Sequence, residues 1–144
     1  MKKVNSLFLV DGSNFYRKLK SLNFKSTKKG ERLYRKQQSM LANLKKQKVR
    51  YFLGYLLKSD GHYHEKGVDV KLAVDMVVTA YNKKAQKIFL LSSDTDIMPA
   101  IKVARSKGVK IIYVGFKHQV SKALIHACSR HILLTKHDLK GMFL

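Results

Sequence analysis

The 144-residue chain has one cysteine, one proline, and 9 Asp and Glu against 30 Lys and Arg. Each scarcity excludes something. A lone cysteine rules out a disulfide scaffold, and a chain this long buries roughly 68–70% of the surface its unfolded form exposes, so it needs no staples. The single proline, Pro99, argues against a disordered tail, and there is no internal repeat, linker or low-complexity stretch. No apolar run reaches the ~18–20 residues of a membrane-spanning helix. Met1-Lys2-Lys3 looks like a signal n-region, but the apolar run behind it ends at Asp11 without a small-residue cleavage site, so a reducing cytoplasm is the expected compartment. The phosphate-binding patterns G-x-x-x-x-G-K-[ST] and G-x-G-x-x-G are both missing.

What is present is positive charge, +21 formally at pH 7. On so small a body such a field selects polyanions: RNA, DNA or an anionic lipid face. Nucleic acid is the favoured partner and a membrane the least; solubility alone is the plain alternative. Residues 17–50 hold 13 basic residues against one acid, Glu31. Within that segment Arg17, Lys18, Lys28, Lys29, Arg32, Arg35 and Lys36 are the expected phosphate contacts. Phe15, Tyr16, Phe24 and Tyr34 interleave the basic residues, which suits base stacking, although each ring taken singly reads more readily as core.

Apolar runs punctuated by turn residues predict strands at 6–10, 49–57, 87–91, 110–114 and 131–134. Helices are expected at 14–22, 31–47 (with Leu33, Met40, Leu41 and Leu44 on one stripe), 68–81, 97–107 and 121–128. Residues 59–67 read as a loop with an Asp60-Gly61 turn. Pro99 fits only the first turn of its helix, Gly108 closes that helix, and Thr135-x-x-Asp138 resembles a capping box opening a last helix. Strands that are apolar throughout and alternate with helices indicate an α/β fold, a parallel sheet covered on both faces. The expected architecture is one domain over 1–144, three-layer α/β/α, with a mainly parallel five-stranded sheet in the order 2-1-3-4-5.

The nine carboxylates carry the functional signal. Glu31, Asp60, Glu65 and Asp138 are explained by a helix start, a turn, a polar loop and a cap. Asp11, Asp69, Asp75, Asp94 and Asp96 remain. In the order 2-1-3-4-5, the strands preceding Asp11 and Asp94/Asp96 are neighbours, and their carboxyl ends face the crevice where the strand order reverses, the usual ligand position. Carboxylates packed together repel, and a divalent cation relieves the conflict; Mg²⁺ and Mn²⁺ favour hard oxygen donors. A carboxylate-held cation within a basic surface suits phosphodiester hydrolysis. Plainer readings stand beside this one. Asp11, Asp69, and Asp94 or Asp96 are all in positions to cap or charge helix starts, and Asp75 is placed for an i,i+4 ion pair with Lys71. Asp69 and Asp75, six residues apart, do not share a helix face.

Three segments in order, Phe8-Leu9-Val10-Asp11-Gly12-Ser13-Asn14-Phe15-Tyr16, Glu65-Lys66-Gly67-Val68-Asp69-Val70-Lys71-Leu72-Ala73-Val74-Asp75-Met76 and Leu91-Ser92-Ser93-Asp94-Thr95-Asp96-Ile97, resemble the NYN domain family of PIN-like nucleases. The resemblance implies a Rossmann-like α/β/α fold and a metal-dependent RNA-processing nuclease. It implies that Asp11, Asp75, Asp94 and Asp96 form an acidic Mg²⁺ or Mn²⁺ pocket. Asp69 would support it, Asn14 would orient Asp11 or a water, and Ser93 would line it. Lys66, in the second segment, is placed to meet a phosphate, or is a plain surface lysine.

The leading expectation is a divalent-metal-dependent ribonuclease acting on single-stranded or structured RNA. A non-catalytic RNA-binding module of the same fold is the alternative. A phosphatase with Asp11 as nucleophile is disfavoured because Ser13 stands where a second Asp would be needed. His62-Tyr63-His64 and His126-x-Cys128 with His131 fit no structural zinc spacing, and Cys128 reads as core. A homodimer is compatible with the sequence.

Overall fold

The computed structural model describes residues 6–11, 52–59 and 62–140, together with helical positions at 38–39, 42–43 and 45–46. Its elements are β1 (Ser6–Val10), β2 (Tyr55–Ser59), β3 (His62–Lys66), α1 (Val68–Tyr81), β4 (Lys87–Leu91), α2 (Met98–Ser106), β5 (Lys110–Phe116), α3 (Lys122–Ala127), β6 (Arg130–Leu134) and α4 (Lys136–Lys140). Strands β1, β4, β5 and β6 form one sheet in that spatial order, and every pair in it is parallel. Phe8 lies opposite Phe89, Leu90 opposite Tyr113, and Val114 opposite Ile132.

Side chains alternate across each strand, and one face of the sheet makes the core. Ile88, Leu90, Ile111 and Tyr113 are fully buried there against Leu72 and Met76 of α1, Ile101 and Ala104 of α2, and Leu124 of α3. Each such side chain contributes about 1.5–3 kcal/mol on leaving water. The described helices α1, α2 and α3 therefore form a single layer. On the opposite face Phe8 stacks on Phe89, with centroids 4.5 Å apart, yet remains 66% exposed. The helices expected at 14–22 and 31–47 fall largely outside the described residues; the described positions at 38–39, 42–43 and 45–46 are helical and exposed.

Local chemistry sets the element ends. Pro99 occupies the first turn of α2, where its missing N–H is no loss. Gly108, with φ +82°, adopts the left-handed conformation that turns the chain from α2 toward β5. Ser121 Oγ accepts from the Leu124 N–H at the start of α3. Asp138 Oδ2 accepts from the Thr135 hydroxyl and backbone N–H, at 2.6 and 2.7 Å, and the Asp138 N–H donates back to Thr135 Oγ1, the reciprocal box expected there. The Thr135 hydroxyl, followed by its backbone N–H, holds the Asp138 carboxyl below its usual range.

The structure corrects one region. The second strand expected at 49–57 and the loop expected at 59–67 become the hairpin β2–β3, antiparallel, with Tyr55 opposite Lys66 and Ser59 opposite His62. Residues 52–54 are not in a strand. The described parallel sheet thus has four strands, in an order matching the last four places of 2-1-3-4-5.

Candidate functional site

Parallel pairing brings the carboxyl ends of β1 and β4 to one edge. The ladder runs one residue beyond β1, because the Asp11 N–H donates to the Leu91 carbonyl at 2.9 Å. That bond fixes the Asp11 backbone, and its side chain is buried at 6% exposure. Ser92 follows β4 and points to the same side of the sheet as Leu90. Its hydroxyl donates to Asp11 Oδ2 at 3.3 Å and accepts the Asp94 N–H at 3.1 Å. Asp94 Oδ1 in turn accepts the Asp96 N–H at 2.9 Å, closing an Asx turn. One serine oxygen therefore links the first acid of the chain to the turn carrying the third and fourth site acids.

The plain readings of these acids are resolved in part. Neither Asp94 nor Asp96 caps α2; its N-cap is Ile97, without a side-chain cap. Asp94 instead stabilises its own turn, and Asp96 is exposed. Asp75 forms the i,i+4 ion pair with Lys71, at 2.5 Å and with both side chains about two-fifths exposed. Asp69 is exposed in the first turn of α1, whose N-cap is Gly67, so its charge faces the positive end of the helix dipole. Ser93 is half-buried beside the site, and Lys66 is exposed at the end of β3. Asn14, Arg17, Lys18, Lys28, Lys29, Arg32, Arg35 and Lys36 lie outside the described residues.

Mg²⁺ and Mn²⁺ are commonly held by one or two carboxylates, with water completing the shell. Ser92 Oγ bonds the Asp11 carboxylate and the Asp94 backbone N–H, so two residues that carry hard oxygen donors meet at one serine. Among the described residues no three His, Cys, Asp or Glu side chains come together as a metal-holding group. The four-carboxylate pocket expected from Asp11, Asp75, Asp94 and Asp96 is therefore not assembled among them. Asp11 and Asp94 have the donor chemistry such a cation takes, whereas the Asp75 carboxylate is engaged by Lys71.

Two cavities among the described residues differ in their lining. One of about 250 Å³ is lined by Lys117, His118, Leu134, Thr135 and Lys136, at the carboxyl ends of β5 and β6. Two lysines and a histidine make its lining basic. The other, about 330 Å³, lies between α1 and α2 and is lined only by alanines, valines and Pro99, so it holds no group for acid–base or metal chemistry. Ser92 is the site residue that sequence reading missed in favour of Ser93. Strand alternation was the available signal, since Ser92 continues the inward series of Ile88 and Leu90.

Comparison with known proteins follows the same lines. A protein of unknown function from Vibrio parahaemolyticus has the same fold, with a TM-score of 0.68 over 94% of this chain and 98% of that one at 16% identity. An uncharacterised protein of Methanocaldococcus jannaschii is 37% identical over 57 residues, which is 40% of this chain and 24% of that relative, so this chain spans at most a fraction of the relative's length. The NYN domain family model matches residues 7–135, which include both strand ends that bear the acids. The chain belongs to the NYN domain family, within the PIN-like nuclease superfamily.

Proposed function

We propose that the protein is a divalent-metal-dependent ribonuclease whose reacting centre lies at the carboxyl ends of β1 and β4. The observation that carries this reading is the Asp11–Ser92–Asp94 junction, where one serine hydroxyl meets the Asp11 carboxylate and the Asp94 backbone N–H, in a molecule with 30 basic residues. Asp11 and Asp94 would hold Mg²⁺ or Mn²⁺, which supplies polarisation of a phosphoryl oxygen and an acidified water when bound. Ser92 holds the Asp11 carboxylate in place through its hydroxyl. The Asx turn uses Asp94 Oδ1 to accept the Asp96 N–H, which fixes the orientation of that carboxylate. Lys66, exposed at the end of β3, and Lys71, paired with Asp75, are the phosphate contacts this reading assigns on the described residues. Asn14 and Ser93 complete the proposed site, with Asp96 and Asp69 at its margin.

Asp94→Asn is the informative variant. Asparagine retains an Oδ1 acceptor for the Asp96 N–H, so the turn is preserved while one anionic donor is lost. Cleavage of end-labelled single-stranded RNA in Mn²⁺ should fall at least 100-fold in this variant, with an unchanged thermal melt. Undiminished cleavage, or full activity in EDTA, would remove the mechanism. The absence of a three-ligand group among the described residues favours a second reading, an RNA-binding module without turnover. Metal-independent binding with no cleavage in any divalent ion would select it.

A further inference from the structure

We propose that Phe52 and Tyr55 form a stacking platform for the bases of single-stranded RNA, beside the edge that carries Asp11 and Asp94. The proposal rests on the RNA-directed reading above and deepens it. Both rings are large and open, 48% and 60% exposed, and neither belongs to the core. Both are also held. The Tyr55 ring lies against the backbone of Gly67, where a Cβ would come within 3.0 Å of Tyr55 Cε1 and where φ is +92°. Only glycine combines that conformation with a flat seat for the ring. The Phe52 ring has Lys71 Nζ 5.8 Å from its centroid, within cation–π range.

Their location follows from the topology. A connection of residues 82–86 leads from α1 into β4, so α1 runs antiparallel to β4 and its first turn lies toward the carboxyl ends of the strands. Gly67, Lys71 and the two rings cluster about that first turn. Each ring thus has an ammonium-bearing neighbour: Lys71, which is also paired with Asp75, over Phe52, and Lys66 opposite Tyr55 in the hairpin. Every base has a π-face, so stacking on such rings accepts any sequence, while neighbouring cations take the phosphates. The strong positive charge of the chain makes a polyanion the complementary ligand.

The test uses the full chain in EDTA and follows fluorescence anisotropy of a labelled oligouridine 12-mer and of an abasic 12-mer with the same phosphates. Phe52→Ala and Tyr55→Ala are each expected to weaken oligouridine binding about tenfold, leaving abasic binding and the salt slope unchanged. Phe52→Leu, which preserves bulk, should be as weak as the alanine variant, and Tyr55→Trp should bind as well as wild type. These two variants carry the test should an alanine variant fail to fold. Equal affinity in wild type and ring variants, or equal losses on both oligomers, would overturn the platform and leave the ribonuclease reading standing. A wild-type chain that binds neither oligomer overturns both, and its flotation with phosphatidylserine vesicles would assign the rings to a membrane instead.

Discussion

Cys128 lies against the core at 7% exposure, and its burial pushes the thiol up to about 11; the nearby Arg105 guanidinium opposes the shift only in part. Two consequences follow. Alkylation by iodoacetamide at pH 8 should be about 100-fold slower in the native chain than in urea, because the thiolate is the nucleophile. The thiol also couples folding to pH. Its neutral form is favoured in the fold, so its contribution is complete below the ordinary thiol value near 9 and is lost as pH rises toward 11. Denaturant melts of wild type and Cys128→Ala should therefore converge across that interval, and a constant difference would contradict the burial argument. The sequence singled out Asp11 and Asp94, the two acidic residues that bond Ser92, while Asn14 and the basic residues expected between 17 and 36 lie outside the described residues. Asp11 and Asp94 stood out because acids are scarce and follow apolar runs. Ser92 was not legible, because a hydroxyl beside a carboxylate leaves no compositional trace and its role depends on which face of β4 is inward.

At the scale of elements, the layer of α1 and α2 on the sheet is held by buried side chains of unequal weight. Ile101 is fully buried, whereas Val74 is 50% exposed at the mouth of the apolar groove between the helices. Ile101→Ala should cost about 2–5 kcal/mol in urea unfolding, and Val74→Ala less than ~1 kcal/mol. Similar losses would mean that the groove is covered in solution. The elements of the core were readable: β1, β4 and α1 have the bounds that their apolar runs and turn residues predict. The hairpin was not. His62-Tyr63-His64-Glu65-Lys66 is polar, and strands outside the main sheet carry no continuous apolar signal. Only the Asp-Gly pair, two residues between two pairing segments, pointed to it. The second face of the sheet illustrates a different limit. Its apolar character was evident, but the residues expected to cover it lie mostly in the stretch outside the described ones.

For the molecule as a whole, charge dominates. A net +21 on 144 residues gives an attractive field for any polyanion, and binding should release counterions from each phosphate neutralised. Affinity for a single-stranded oligonucleotide is expected to fall at least ~10-fold between about 50 and 200 mM salt, the equivalent of three or more phosphate contacts at ~0.7 per phosphate. A flat response in anisotropy titrations would limit the charge to solubility. Charge of this size was legible from composition, but where it gathers is a matter of folding.

The hydrogen bond between Ser92 and Asp11 spans 81 positions of the chain. The turn through Ser92, Asp94 and Asp96 forms from neighbours two residues apart, but its link to Asp11 exists only once β1 has paired with β4. On a ribosome adding ~5–20 residues per second, the first strand emerges roughly 4–16 s before its partner is made. A truncated or stalled product ending before β4 would carry the basic segment and Asp11 but lack Ser92, Asp94 and Asp96. It could grip a transcript and have no means of cutting it.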